Sequence, residues 1–209
     1  MSRRADPLRE YNAKRDFAHT PEPRGERSDD ASHAFVIQKH AATALHYDVR
    51  LELDGLMLSW AVPKGPSFDP ADKRLAMRTE DHPVSYNAFE GTIPEGHYGA
   101  GNVIVWDRGQ WEPVGDPHAA MAAGKLEFRI DSVKLRGLWE LVRTSHAGDK
   151  RERWLLFKKH DEYARPRSAY DVTSTLPQSV VSGRDLAPRG QPMPDAPRRA
   201  PRTKARSKR

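Results

Sequence analysis

The chain has 209 residues, enough for one domain with a core, but only 37% of them are hydrophobic, so part of the chain is expected to lie outside that core. It has no cysteine, which excludes disulfides and thiolate metal sites, and no apolar run long enough for a membrane helix or a signal peptide. The net charge is +6, of which residues 183–209 contribute +7 through nine Lys and Arg against two Asp and Glu, leaving −1 for residues 1–182. We therefore expect a cytoplasmic protein with no membrane partner and a basic tail.

The first predicted strands follow a polar arm. Residues 1–32 are rich in charge and proline, which predicts an arm without a core of its own. His46–Leu53 alternates polar and apolar residues strictly, as is typical of a β-strand with one buried face. Asp54-Gly55 follows at once and predicts a tight hairpin, because both central residues of a type I′ turn need positive φ. Leu56–Val62 is then the returning strand.

Further short strands are predicted along the rest of the chain. Lys73–Glu80 alternates like a strand, and residues 83–101 are expected to form a loop. Asn102–Trp106 and Gln110–Val114 are predicted to pair as a hairpin around Asp107-Arg108-Gly109. The remaining strands are predicted at Leu126–Ile130, Val133–Val142 and Arg153–Lys158.

One short helix interrupts these strands. Asp116 is a helix N-cap residue, Pro117 suits the first helical position, and Gly124 stands just past the expected end. Short strands with one helical interruption predict an all-β fold, a small antiparallel sandwich or β-barrel with one or two short helices and disordered polar termini. Three parts are expected: residues 1–32 as a polar N-terminal arm, residues 33–162 as the β-barrel domain, and residues 163–209 as a Pro/Arg/Lys-rich tail that is mostly disordered.

Candidate chemistry is concentrated between Gln38 and Arg50. His46, Asp48 and Arg50 share one face of the predicted strand, with Cα atoms about 6.6 to 6.8 Å apart, so His46 and Asp48 can reach one ion. With His40 they form the pattern H-x5-H-x-D, and two imidazoles with one carboxylate suit a divalent first-row metal that keeps open positions. Periodicity alone does not place His40.

Other side chains are candidates for binding a phosphate or transferring a proton. The candidates for binding phosphate are Arg50, Arg74, Arg78 and Lys64, since a guanidinium matches two phosphate oxygens with a planar fork. His82 is a candidate general acid or transition-state donor, and Tyr86 is a second donor near it in sequence. A dinucleotide-binding fingerprint and a P-loop are both absent from the sequence.

The residues alone leave two further classes of function open. An Fe(II) oxygenase on a β-barrel also uses two histidines and one carboxylate, with His82, His97 or His118 completing the set. A non-enzymatic nucleic-acid-binding β-barrel would instead bind through arginines and the basic tail. Residue patterns do not distinguish the oxygenase from a metal enzyme that acts on phosphate.

Three runs of sequence carry a resemblance to a known family. In this order, FVIQKHAATALHYDVRLELDGLMLSWAVPKGPS, KRLAMRTEDHPVSY and FEGTIPEGHYGAGNVIVWDRG resemble the 3′-phosphoesterase module of bacterial DNA ligase D, over about residues 8 to 162. The resemblance implies a small β-barrel that holds Mn²⁺, with other divalent first-row metals as substitutes. It implies removal of a 3′-terminal ribonucleoside and then of the remaining 3′-phosphate, from DNA or RNA-tailed DNA ends at primer-template junctions. Because the ligase and polymerase domains of DNA ligase D are absent from the sequence, we expect a stand-alone form whose partners are a separate ligase, polymerase or end-binding protein.

The resemblance also assigns roles to individual residues, and it implies that the N-terminal arm docks partly on the site. The implied metal ligands are His40, His46 and Asp48. The implied catalytic residues are Arg50, His82 and Tyr86, together with Arg15, Asp16 and Glu22 of the arm. The implied substrate-binding residues are Gln38, Lys64 and Arg74.

Overall fold

The computed structural model describes residues 6–29, 32–146 and 149–197, and this part of the chain contains ten β-strands and three α-helices. The strands are β1 (Ala34–Ala41), β2 (Leu45–Leu53), β3 (Leu56–Val62), β4 (Arg74–Arg78), β5 (His82–Pro83), β6 (Gly91–Ile93), β7 (Gly101–Pro113), β8 (Lys125–Ser132), β9 (Arg136–Arg143) and β10 (Arg153–Lys158). The helices are α1 (Arg9–Ala13), α2 (Pro117–Ala123) and α3 (Val172–Thr175), with a 3₁₀ helix at Val84–Ala88. Within the described ranges, none of these helices has the length and apolarity to cross a membrane.

Eight of the strands close into an antiparallel barrel. They follow the order β1-β2-β3-β4-β10-β9-β8-β7, and pairing of β7 with β1 closes the ring. β5 pairs with β3, and β6 pairs with β7, outside that ring. The predicted all-β class and the small antiparallel barrel are therefore confirmed.

The barrel interior holds the main hydrophobic core, and the candidate metal ligands lie on the outer face of its wall. All five tryptophans of the chain belong to this core. Tyr47, Val49 and Leu51 of β2 point into the same cluster. Successive side chains of a strand point to opposite faces, so His46 and Asp48 point outward. The core thus fixes which residues β2 presents to the outside.

The turn between β2 and β3 has the predicted geometry. Asp54 and Gly55 have φ values of 55° and 76°, as a tight hairpin turn requires. A Cβ atom at Gly55 would lie 1.8 Å from the carbonyl oxygen of Ser28, because the N-terminal arm passes directly over the turn. Gly55 is therefore needed both for its backbone conformation and for the close approach of the arm.

The helix prediction is confirmed, whereas the predicted hairpin at Asp107-Arg108-Gly109 is wrong. The Asp116 carboxylate caps α2 by accepting the His118 amide, and Gly124 ends the helix with φ 74°. β7 instead runs without a turn from Gly101 to Pro113, pairing first with β1 and then with β8. Asp107 is buried and accepts hydrogen bonds from the Ser132 hydroxyl and from two backbone amides of the loop after β8. The Asp107 carboxylate thus stabilises the loop after β8 and does not form a turn within its own strand.

The segment after the barrel differs from the expected disordered tail. As far as Gln191 it contacts the barrel, with Val172 in the main core. The Trp106 indole donates to the Leu176 carbonyl at 2.7 Å. The fully buried Asn102 amide lies 2.8 to 3.2 Å from the carbonyl oxygens of Ala187, Pro188 and Gln191. Composition missed this docking because it uses backbone carbonyls, which any sequence supplies. The most basic residues, 198–209, lie outside the described ranges.

We expect Asn102→Ala to lower the free energy of unfolding by about 1 to 3 kcal/mol, because it removes a buried amide that donates hydrogen bonds to three carbonyls of the C-terminal segment. Urea denaturation measures this change. Limited proteolysis should also cut residues 176–191 faster in the variant. Gln110→Ala, at an exposed position of the same strand, serves as the control and should leave both measurements unchanged. Equal stability of Asn102→Ala and the wild type would contradict this account of the docking.

Candidate functional site

Two paired strands bring the candidate metal ligands together. His40 on β1 stands opposite His46 on β2, and Gln38 stands opposite Asp48. His40 Nδ1 lies 3.7 Å from one carboxylate oxygen of Asp48, and His46 Nε2 lies 3.5 Å from the other. One ligand atom from each of the three side chains lies within 4.8 Å of the other two. This spacing suits one divalent ion bound by two imidazoles and a carboxylate.

Backbone carbonyls orient both imidazoles for metal binding. His46 Nδ1 lies 2.9 Å from the Ala44 carbonyl oxygen, and His40 Nε2 lies 2.8 Å from the Gly99 carbonyl oxygen. Since a carbonyl only accepts hydrogen bonds, each of these nitrogens carries the proton. The other nitrogen of each ring is left with its lone pair and faces Asp48. Such outer hydrogen bonds are common around metal-binding histidines, so the residues present fit a metal ion.

The charges around Asp48 favour its ionised form. Burial by itself would raise the pKa of this carboxyl, but the nearby imidazoles of His40 and His46 and the charge of Arg50 hold the pKa well below its usual value. For His46, burial would lower the pKa, but the Asp48 carboxylate outweighs it and raises the pKa. A metal must displace a proton from this imidazole, so metal binding should weaken in acid.

Arg50 is held beside the metal ligands by a buried support. Its Nε donates to Gln38 Oε1 at 2.8 Å, and its Nη1 donates to the Ser59 hydroxyl at 2.7 Å. Gln38 is fully buried and donates in turn to the carbonyl oxygens of Tyr86 and Phe89. Gln38 therefore orients Arg50 from behind, which differs from the expected contact with substrate. The Arg50 guanidinium itself lines the cavity.

The N-terminal arm completes the wall of the site. Its α1 buries Tyr11 in a second apolar cluster that includes Tyr86. Arg15 Nε pairs with Glu22 at 2.8 Å, and the Tyr86 hydroxyl donates to the same carboxylate oxygen at 2.9 Å. Arg15 also reaches Glu80 at 3.3 Å. Loss of one member of such a buried pair typically costs about 3 to 5 kcal/mol, because it leaves a charge unpaired.

His82 lies between the arm and Arg50 in a neutral state. Its Nδ1 donates to the Glu80 carbonyl oxygen at 2.9 Å, so its Nε2 holds the lone pair and faces an Arg15 nitrogen at 3.4 Å. Burial, together with the charges of Arg50 and Arg15, lowers the pKa of this imidazole well below its usual value. His82 Nε2 is therefore an acceptor of hydrogen bonds.

These groups surround one cavity of about 670 Å³. Its walls also include residues to which the sequence assigned no role, among them Thr79, Glu80, Tyr98, Gly99 and Arg151. The sequence predicted a loop at residues 83–101, but not that the Gly99 carbonyl of this loop would meet His40. No local pattern could have indicated Arg151, because it belongs to the loop before β10.

Three expected site residues lie away from this cavity. Asp16 is exposed and bonds to the His19 ring at 2.8 Å and to the Ala18 amide. Lys64 is exposed in the turn after β3. Asp48 pairs with Ala61, and Ala61 pairs with Met77, so these three side chains share the outer face of the barrel. Arg74 is three positions before Met77 on β4 and therefore points to the inner face. The predicted alternation of β4 is present, but its register with β3 places the arginine on the other side.

Among the described residues, none of the histidines that an oxygenase site would add belongs to the cluster with His46 and Asp48. His97 packs against the His19 ring, with centroids 6.4 Å apart, and His118 lies 3.6 Å from Asp54. His82 is held by Glu80 and Arg15. Within the described ranges, the histidine that joins His46 and Asp48 is therefore His40.

Comparison with known proteins identifies relatives of this chain. The sequence profile of the "DNA Ligase D 3'-phosphoesterase domain" matches residues 38–143. The "Multifunctional non-homologous end joining protein LigD" of Pseudomonas aeruginosa is 52% identical over 206 residues, which cover 97% of this chain and 24% of that protein. The "Multifunctional non-homologous end joining DNA repair protein LigD" of Mycobacterium tuberculosis is 37% identical over 184 residues, which cover 86% of this chain and 23% of that protein. The corresponding protein of Mycolicibacterium smegmatis is 38% identical over 180 residues, which cover 82% of this chain and 23% of that protein. The chain thus spans about a quarter of the length of these curated relatives.

We expect His46→Ala and Asp48→Ala each to abolish measurable Mn²⁺ binding, because each removes one of three ligands. Isothermal titration calorimetry with Mn²⁺ alone measures this loss. His118→Ala removes an exposed histidine outside the site and should bind Mn²⁺ like the wild type. Wild-type affinity in the Asp48 variant would show that the cluster is not the metal site.

The buried neutral His82 should make the protein sensitive to acid. Its pKa is well below 6.5 in the folded state, whereas the unfolded chain takes up the proton near 6.5, so stability is lost as pH falls below that value. One such group changes the free energy of unfolding by at most about 1.4 kcal/mol per pH unit. His82→Asn should therefore give a shallower dependence of stability on pH below 6.5, measured by urea denaturation at several pH values. Parallel curves for the variant and the wild type would contradict the buried neutral state.

Proposed function

Because this chain belongs to the DNA ligase D 3′-phosphoesterase domain family, we propose that it is a metal-dependent phosphoesterase that processes 3′ ends. Its substrates are DNA or RNA-tailed DNA ends at primer-template junctions. It first removes a 3′-terminal ribonucleoside to leave a 3′-phosphate, and it then hydrolyses that phosphate to leave a 3′-hydroxyl. The observation that carries this proposal is the cluster of His40, His46 and Asp48 directly beside Arg50 in one cavity.

The three clustered side chains are the metal ligands in this proposal. His40 would bind through Nδ1, His46 through Nε2 and Asp48 through its carboxylate. When bound there, Mn²⁺ supplies positive charge to phosphoryl oxygens and lowers the pKa of water. Other divalent first-row metals suit the same nitrogen and oxygen set and would serve as substitutes.

Arg50 is the proposed phosphate-binding residue. A guanidinium has five N–H groups, and only two are taken by the short hydrogen bonds to Gln38 and Ser59. The remaining N–H groups can bind two phosphoryl oxygens at once. Because Gln38 and Ser59 fix the plane of the guanidinium, it is already oriented when the phosphate arrives.

His82 is the proposed proton donor to the leaving oxygen. A phosphate in the cavity places negative charge near the imidazole, which raises its pKa and lets Nε2 take up a proton. The Nδ1–H bond to the Glu80 carbonyl keeps the ring in place during this change. Arg15, bound to Glu22, Glu80 and His82, acts as a positioning residue in this scheme.

The two proposed steps share one type of displacement. In each step a water oxygen forms a bond to phosphorus, and the oxygen that leaves takes up a proton. The P–O5′ bond of the terminal nucleoside breaks in the first step, and the P–O3′ bond of the primer breaks in the second. The products are a nucleoside, inorganic phosphate and a strand with a 3′-hydroxyl, which is the end that a ligase or polymerase requires.

The proposed biological setting follows from the relatives, which are named as non-homologous end joining proteins. We place this activity in end-joining repair in the cytoplasm. A ligase, a polymerase or an end-binding protein is the partner that would use the processed end.

The proposal is tested with Mn²⁺ and a primer-template that bears one 3′-terminal ribonucleotide. The wild type should yield a 3′-phosphate strand and then a 3′-hydroxyl strand, as resolved by gel electrophoresis, and chelation of the metal should stop both steps. Arg50→Lys keeps the charge but loses the planar fork, so kcat/KM should fall by about 10² to 10³. Arg129→Lys, on an exposed surface away from the cavity, is the matched control and should keep wild-type kcat/KM. A wild-type protein that releases neither product with Mn²⁺ would refute the proposed function.

A further inference from the structure

One aromatic side chain at the rim of the cavity has no role in the proposed scheme. Tyr98 lines the cavity and is 49% exposed. The other tyrosine of the cavity wall, Tyr86, is buried and bonded to Glu22. Among the described residues of this wall, Tyr98 is thus the one tyrosine whose ring is open to solvent.

The Tyr98 ring is held in place next to the metal ligands. Its neighbour in sequence, Gly99, provides the carbonyl that accepts the His40 ring N–H. Lys14 of the arm lies 4.7 Å from the ring centroid, and the Tyr98 hydroxyl lies 3.5 Å from Glu80 Oε2. The ring therefore has contacts on the arm side, while about half of the residue stays exposed to solvent at the cavity wall.

The two proposed steps differ in one group of the substrate. Ribonucleoside removal involves a sugar and a base beyond the scissile phosphate, whereas 3′-phosphate removal has no group there. Nucleic-acid-binding proteins hold unpaired bases by stacking them on exposed aromatic rings, which tolerates any base because every base has a π face. A ring at the rim of the cavity can therefore contact the leaving nucleoside in the first step only.

We propose that Tyr98 forms the subsite for the leaving nucleoside, stacking on its base during ribonucleoside removal. The inference rests on the proposed function, since it assigns a substrate contact within that same site. It makes Tyr98 a specificity-determining residue for the first step. The second step, which releases only inorganic phosphate, does not use it.

A different role for Tyr98 would give a different result. If the ring served only to hold Lys14 and the arm over the site, its loss would disturb Arg15 and His82 as well. Both steps depend on those residues, so both would slow together. A comparison of the two steps in the same variant therefore separates the nucleoside subsite from a structural clamp.

The experiment uses Tyr98→Leu, which keeps apolar bulk but removes the π face, and Tyr98→Phe, which keeps the ring. Each is assayed on a primer-template with a 3′-terminal ribonucleotide and on one with a 3′-phosphate. We expect Tyr98→Leu to lower kcat/KM for ribonucleoside removal about 5- to 100-fold, mainly through KM, and to leave phosphate removal unchanged. Tyr98→Phe should match the wild type on both substrates. Tyr163→Leu, which changes a tyrosine in a separate cavity, should also match the wild type.

A substrate whose terminal ribose lacks its base tests the contact directly. For the wild type, kcat/KM should fall on this abasic substrate by about the same factor as the Tyr98→Leu substitution causes on the normal substrate. For Tyr98→Leu, kcat/KM should be the same on both substrates, because the base and the ring belong to one interaction. Additive losses, or equal slowing of both steps in Tyr98→Leu, would overturn the subsite. Failure of the wild type on both substrates would instead refute the proposed function itself.

Discussion

The candidate site depends on the antiparallel register of two neighbouring strands. β1 and β2 pair so that His40 faces His46 and Gln38 faces Asp48. A slip of one residue would turn the ligands inward and expose Tyr47, which packs in the core. The apolar face that stabilises the barrel therefore also fixes the spacing of the ligands. One ladder of backbone hydrogen bonds serves both purposes.

The N-terminal arm takes part in a cluster of buried charges that stabilise one another. Arg15, Glu22 and Glu80 are almost completely buried, and isolated burial would cost several kcal/mol for each ion. Their mutual pairing, together with the hydroxyl groups of Thr20 and Tyr86 on Glu22, offsets that cost. The result is a rigid polar wall that needs little rearrangement when a charged substrate enters. A segment of low hydrophobicity is thus an integral part of the site.

Local patterns in the sequence predicted the features that depend on local chemistry. The all-β class, the turn at Asp54-Gly55 and the shared face of His46 and Asp48 each follow from alternation or turn geometry. The position of His40 depends on strand pairing, and the inward direction of Arg74 depends on the register of β4 with β3. Neither can be deduced from one strand alone. Residue patterns also left an oxygenase open, and the family match rather than periodicity decided between the classes.

The connectivity of the barrel has a consequence for the order of assembly during translation. β10 lies between β4 and β9, so the ring is incomplete until residue 158 has been synthesised. Arg15 leaves the ribosome 65 residues before Glu80 and 67 before His82, and these partners become fixed only on the finished wall. The arm must therefore remain in solvent while the strands that receive it are made. A nascent chain therefore carries the His40, His46 and Asp48 side chains and the arm long before it carries the assembled cavity.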